Sequence, residues 1–224
     1  GRPYPVPAVG ATNGLRTGLV WGVLCCMRGG QHDVCGCFPT GRHYPGIANL
    51  MVEEQAPIEG LARVFEVQAP WYDLPVAVLD FETTGFEDTD RVVEVGLVCF
   101  QSGKLTAKHN WLVNPGMPIP EGAMKVHGIT DAMVKDEPAF GDIARQLADL
   151  LQGHLPVAYN ASFDRRFLHA EMGRAGIKKN LPPALEPEVV WADPLVWARE
   201  LQPNENRHRL VDVCARMDIE LNDA

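Results

Sequence analysis

The chain has 224 residues, 46% of them hydrophobic and 22% charged, which is the balance of a globular protein rather than a disordered one. A formal net charge of −9, from 20 basic and 29 acidic residues, excludes a generally electropositive nucleic-acid coat but leaves room for a local basic track beside an acidic site. No apolar run approaches the roughly 18 residues of a membrane helix, and six cysteines are too few for a disulfide scaffold, so a cytoplasmic protein with no membrane partner is expected.

In chain order, residues 1–70 are rich in Gly, Pro and Cys and show no long periodic segment. The sequence divides near 68–75 into a small N-terminal module, 1–70, and a main domain, 74–224. The longest apolar stretch, residues 18–27, reads as a buried helix or strand rather than a signal sequence. Cys25, Cys26, His32, Cys35, Cys37 and His43 fall close together, and such clusters suit structural zinc. Cys-Cys and Cys-x-Cys, however, are not the usual spacing of a zinc knuckle. The favoured reading is a Gly/Pro-rich module whose buried thiols pack against the main domain or a partner, with zinc as the alternative.

From Leu74 onward elements alternate regularly. Residues 76–81 form a strand of near-continuous apolar character, and residues 91–100 a second, joined by turn chemistry of hairpin length. Residues 108–113 make a third, so an antiparallel meander is expected, ended by Asn114-Pro-Gly-Met-Pro-Ile-Pro. Residues 121–126 are a short helix closed by His-Gly, and 130–134 another with Thr130 as N-cap. Residues 140–152 carry apolar side chains at 140, 143, 144, 147, 150 and 151, one face of a helix that packs on the sheet. Residues 156–159 read as a fourth strand and 161–175 as the helix behind it. Residues 189–201 form a helix or strand-helix unit. Residues 208–217 form an amphipathic helix with Leu210, Val211, Val213, Cys214 and Met217 inward. Cys99 and Cys214 stand in apolar contexts that suit buried, reduced thiols. A meander followed by strand-helix alternation indicates an α/β fold with a mixed sheet flanked by helices.

The first strand ends in Asp80-Phe81-Glu82. Side chains at i and i+2 of a strand share a face, so the two carboxylates project together. Acids so close on an apolar element repel each other and resist desolvation, which makes a divalent cation between them a natural candidate; a plain water-facing strand end is the alternative. Asp164, one turn into the helix after the fourth strand, is the second acidic candidate. It could equally be a carboxylate in the favourable field of a helix N-terminus, and Asn160 could be that helix's N-cap. The two readings separate on whether Asp164 meets Asp80 and Glu82.

Asp80-Phe-Glu-Thr-Thr-Gly85, Arg91-Val-Val-Glu94-Val-Gly96, Asn114-Pro-Gly, Val126-His-Gly-Ile-Thr130 and Asn160-x-x-Phe163-Asp164 occur in the order and spacing of the DnaQ-like (DEDDh) 3′–5′ exonucleases. Over about residues 74–224 the chain resembles that family, and Val-His-Gly-Ile-Thr is closest to its epsilon proofreading branch. The resemblance implies a ribonuclease H-like fold and hydrolysis of phosphodiester bonds at DNA 3′ ends by a two-metal mechanism using Mg²⁺ or Mn²⁺. It further implies that Asp80 bridges both ions, Glu82 binds the first and Asp164 the second, all hard oxygen donors. Phe81, Thr83 and Thr84 would line the terminal nucleotide's pocket, and Asn160 and Phe163 its far wall. His127, in a Gly turn near the site, reads as a structural hydrogen-bonding residue.

The family's remaining motif is a His and an Asp with four residues between them. His208-Arg-Leu-Val-Asp212 has three, and the run Arg207 to Ile219 fits the element that precedes the motif. His208 and Asp212 are therefore read as structural, and the missing pair is expected just past Ala224 in a parent protein that continues. The expected partners are single-stranded or frayed DNA 3′ ends, for proofreading or end trimming, and a larger DNA-processing complex reached through the N-terminal module. These motifs do not separate DNA from RNA. The competing reading is a catalytically silent nucleic-acid-binding or protein-docking module.

Overall fold

A computed structural model describes residues 74–187 and 189–217. The module 1–70, including the Cys/His cluster and the apolar stretch 18–27, lies outside the described residues. Three strands, β1 (Val76–Thr83), β2 (Val92–Gln101) and β3 (Lys104–Leu112), make an antiparallel meander, and β4 (Leu155–Val157) joins β1 in parallel, giving the order β3-β2-β1-β4. Six α-helices complete the described chain: α1 (Glu121–His127), α2 (Asp131–Val134), α3 (Phe140–Leu150), α4 (Ala161–Arg174), α5 (Pro194–Leu201) and α6 (Leu210–Arg216).

β1 is central and covered on both faces, which is why its sequence is almost continuously apolar instead of alternating. Ala77, Leu79 and Phe81, with Val95, Leu97 and Cys99 of β2, pack against Phe140, Ile143, Ala144 and Leu147 of α3 and Phe167, Leu168 and Met172 of α4. The opposite face, Val76 and Val78 with Val98 and Phe100, meets Trp197 of α5 and Leu210 of α6. Each fully buried Val, Leu, Ile, Phe or Met side chain among these contributes about 1.5–3 kcal/mol, so the two faces together hold β1 firmly between layers. That rigidity is inherited by anything β1 carries.

Several expected boundaries shift for physical reasons. β3 begins at Lys104, four residues before the expected start, because Ser102 and Gly103 adopt φ of 48° and 74° and turn the chain in two residues. Its first three residues are exposed on the sheet's edge, so no apolar periodicity marks them. β4 is shorter than expected, ending at Val157 opposite Val78. Residues 189–201 are a strand-helix unit in outline, Ala192 bridging to Val157 in parallel before α5 starts. On α6, Val211 faces solvent at 46% exposure, while Val213, Cys214 and Met217 are buried as expected. Gly128, at φ 78°, ends α1 in the left-handed conformation that glycine supplies without a steric penalty.

Candidate active site

Asp80 and Glu82 lie on the α5/α6 face of β1, opposite Gly96 and Glu94 of β2 respectively. Glu82 is buried and Asp80 half-buried. Because β4 stops opposite Val78, no strand among the described residues covers this edge of β1 at the level of the two acids. A backbone N–H left there needs a partner, and α4 provides it. The Phe81 N–H donates to Asp164 Oδ1 at 3.0 Å, so a carboxylate from the helix is seated on the peptide between Asp80 and Glu82.

The electrostatics reflect that convergence. Asp164 is 3% exposed, and its carboxyl is held well above the usual carboxylate range, first by burial and next by the charge of Asp80, with Glu82 adding in the same direction and the Phe81 amide opposing them. Asp164 therefore sits in the field of both strand carboxylates, which a simple helix-capping acid would not. Among the described residues no three His, Cys, Asp or Glu side chains already close into a metal cage. A pair of hard cations does not require one: magnesium keeps waters and substrate phosphate oxygens alongside one or two carboxylates. The donor set, three carboxylates and no thiolate or imidazole, fits Mg²⁺ or Mn²⁺.

The remaining expected site residues divide by what their side chains touch. The Phe81 ring is 2% exposed in the core beneath the sheet, leaving its backbone as the part at the site. Thr83 Oγ1 donates to the Gly85 carbonyl at 2.7 Å, and Thr84 Oγ1 to Asp90 Oδ1 at 2.7 Å, so both hydroxyls shape the loop after β1. Phe163, one residue before Asp164, meets the 75% exposed Phe86 edge to face at 6.0 Å. Asn160 is exposed in the left-handed conformation at φ 69° and makes no side-chain cap. The N-terminus of α4 is instead held by Asp193, whose Oδ1 and Oδ2 accept the Asn160 and Ala161 amides, each at 3.0 Å. His127 Nδ1 accepts the Ile129 amide at 3.0 Å, closing its turn. His208 Nε2 lies 3.0 Å from the Gln202 carbonyl, and Asp212 is paired with Arg209 at 2.7 Å.

Four further residues belong to the surroundings of the site; Arg91 and Glu94 stand in a motif that carries the resemblance but without a role of their own, and Asp193 and Glu171 stand in none. Glu94, 1% exposed, faces Glu82 across the strand pair and accepts from Asn110 Nδ2 at 2.9 Å. Its signal was present as one acid in the otherwise apolar run 92–100. Asp193 and Glu171 gave none, and Arg91 gave none beyond its place in the motif, because their partners are distant in sequence.

Residues 77–224 match the model of the exonuclease family, RNase_T. A PolC-type DNA polymerase III of Bacillus cereus is 33% identical over 145 residues, 64% of this chain and 10% of that one. The epsilon subunit of DNA polymerase III of Pasteurella multocida is 32% identical over 150 residues, 64% of this chain and 57% of that one. The chain thus spans from a tenth to just over half of these curated relatives. Among solved structures, E. coli exonuclease I in complex with a dT13 oligonucleotide superposes with a TM-score of 0.55 at 18% identity, over 67% of this chain and 37% of that one, a likeness of fold. No helix among the described residues is long and apolar enough to cross a membrane. With a matching family model over residues 77–224 and a ribonuclease H-like mixed sheet bearing the acidic motifs in order, this chain belongs to the exonuclease family, in its DnaQ-like, epsilon-related branch.

Proposed function

We propose that the protein is a metal-dependent 3′–5′ exonuclease that removes nucleotides from single-stranded or frayed DNA ends, for proofreading or for end trimming. The observation that carries this reading is the seating of Asp164 on the Phe81 amide, between two carboxylates that repel it. A fold that merely needed a helix cap would not bury Asp164 and Glu82 in one another's field beside the half-buried Asp80, since acids so placed carry a desolvation cost that a cation would offset. DNA as substrate is supported by the relatives, which are named as parts of DNA polymerase III.

Asp80, Glu82 and Asp164 would hold two Mg²⁺ or Mn²⁺ ions, which when bound activate a water and stabilise the departing 3′ oxygen. The chain's own groups set the geometry. The doubly packed β1 fixes Asp80 and Glu82, and the Phe81 amide fixes Asp164. Phe163 and Asn160, near Asp164 at the start of α4, would frame a terminal nucleotide, with the exposed ring of Phe86 against Phe163.

The test is digestion of a 5′-labelled single strand by the protein with Mg²⁺ or Mn²⁺, read as a ladder shortening from the 3′ end. Asp80→Asn is expected to lower the rate by roughly 10²-fold or more, beyond the about 10–100-fold typical of changes around a metal site's ligands. Shortening from the 5′ end, or a rate unaffected by Asp80→Asn, would contradict the proposal.

A further inference from the structure

Asp164 and Glu171 lie seven residues apart on α4, two turns along one face. Both reach to the same end of the β1–β2 pair. Glu171 is 1% exposed, and its carboxylate accepts from Arg91 Nε at 2.7 Å and Arg91 Nη2 at 3.1 Å, a bidentate pair. Arg174 Nη1 adds a third contact at 3.0 Å, and the Val92 amide approaches at 3.4 Å. Val92 lies at the bulge where the β1–β2 register shifts between Glu82 and Thr83, immediately after the second strand carboxylate. Glu171 therefore grips the strand pair at the point where its ladder is interrupted.

We propose that Glu171 is a positioning residue which, through Arg91 and the bulge at Val92, fixes how far α4 stands from β1 and so holds Asp164 beside Asp80 and Glu82. This rests on the reading of those three acids as metal ligands. Mutual repulsion among the three acids works against the apolar packing of Phe167, Leu168 and Met172 that holds α4 on β1, and the Phe81 hydrogen bond is the polar contact that anchors the helix at the acids themselves. Glu171 supplies a second polar anchor, two turns along, and makes the helix a lever pinned at both ends. A buried ion pair is a weak source of net stability because desolvation offsets most of the attraction; what its fork geometry provides is a fixed distance and orientation. Arg174 extends the grip to the loop, its Nη2 donating to the Asp88 carbonyl at 2.6 Å.

The experiment titrates Mn²⁺ into the 224-residue chain, read by electron paramagnetic resonance of free ion, and follows amide exchange at Phe81 and Leu79 by NMR without metal. Wild type, Asp80→Asn, Glu171→Gln, Arg91→Lys and the core control Ile143→Val are compared well below their melting temperatures. Glu171→Gln and Arg91→Lys are expected to weaken Mn²⁺ binding about tenfold and to speed exchange at Phe81 but not at Leu79. Ile143→Val, which loosens the core without touching the pair, should leave Mn²⁺ affinity unchanged. Should Glu171→Gln fail to fold, Arg91→Lys carries the test alone, since it keeps the charge and loses the fork. Wild-type affinity and wild-type Phe81 exchange in Arg91→Lys would overturn the proposal. If Asp80→Asn binds Mn²⁺ as wild type does, the metal-ligand reading fails instead, and the Phe81 exchange result still decides whether Glu171 positions Asp164.

Discussion

Asp193 holds the starts of two helices at once: besides the Asn160 and Ala161 amides of α4, it accepts the Leu195 amide of α5 at 2.9 Å. Loss of such a cap costs about 0.5–2 kcal/mol at one helix, so Asp193→Ala is expected to lower stability toward or beyond the upper end of that range in a urea titration. Gly85 is a second position with a stated cause. A Cβ there would stand 2.4 Å from Asp90 Oδ2, and that carboxylate is fixed by the Thr84 hydroxyl and the Glu87 amide. Gly85→Ala should therefore cost about 1–3 kcal/mol through overpacking, visible in the same titration. His169 sets a pH dependence. Burial, and then the charge of Arg165, pushes its imidazole pKa down, so the folded state resists a proton that the unfolded chain accepts near its ordinary value of about 6.5. No stability is lost to this group above that pH; stability falls as pH drops through 6.5 toward the lower folded value. His169→Gln is expected to flatten the difference in urea midpoint between pH 7 and pH 5, and an unchanged difference would contradict the assignment. Asp80 and Glu82 could be singled out from residue pattern alone, because two acids end an apolar strand. Glu171 and Asp193 could not, because the first meets Arg91 from 80 positions away and the second meets Asn160 from 33.

At the scale of elements, legibility followed burial. β1 and β2 are covered on both faces by α3 and α4 on one side and α5 and α6 on the other, and their apolar runs announced them. β3 is an edge strand whose first half is exposed, so nothing in its residues forced the pattern that the hairpin imposes on it. β4 is three residues long, too short for periodicity, and is a strand because Val76, Ala77 and Val78 offer it an edge. The brevity of β4 has a consequence, since it leaves the Phe81 amide for Asp164. The buried thiols of β2 and α6 test the same packing. Burial raises Cys99 to about 11 and Cys214 to about 12, so neither forms the reactive thiolate at neutral pH. Both are expected to resist a thiol reagent in the native protein and to react on unfolding, as read by peptide mass mapping.

For the molecule as a whole, a net charge of −9 and a site built from acids would repel a polyanion were no cations involved. Under the proposed function the same three acids would become a recognition site for phosphate once divalent ions lay between them, which would reconcile an acidic chain with a nucleic-acid substrate. Fold class and family were readable from ordered motifs spread over the main domain, whereas the position of α4 against β1, on which the chemistry depends, is a property of the assembled layers. The most direct measurement of that dependence is the divalent-metal-dependent release of nucleotides from a 5′-labelled single strand by the protein, comparing wild type with Asp164→Asn. The account predicts stepwise shortening from the 3′ end by the wild type and a loss of roughly 10²-fold or more in the variant. Shortening by Asp164→Asn at the wild-type rate would contradict it.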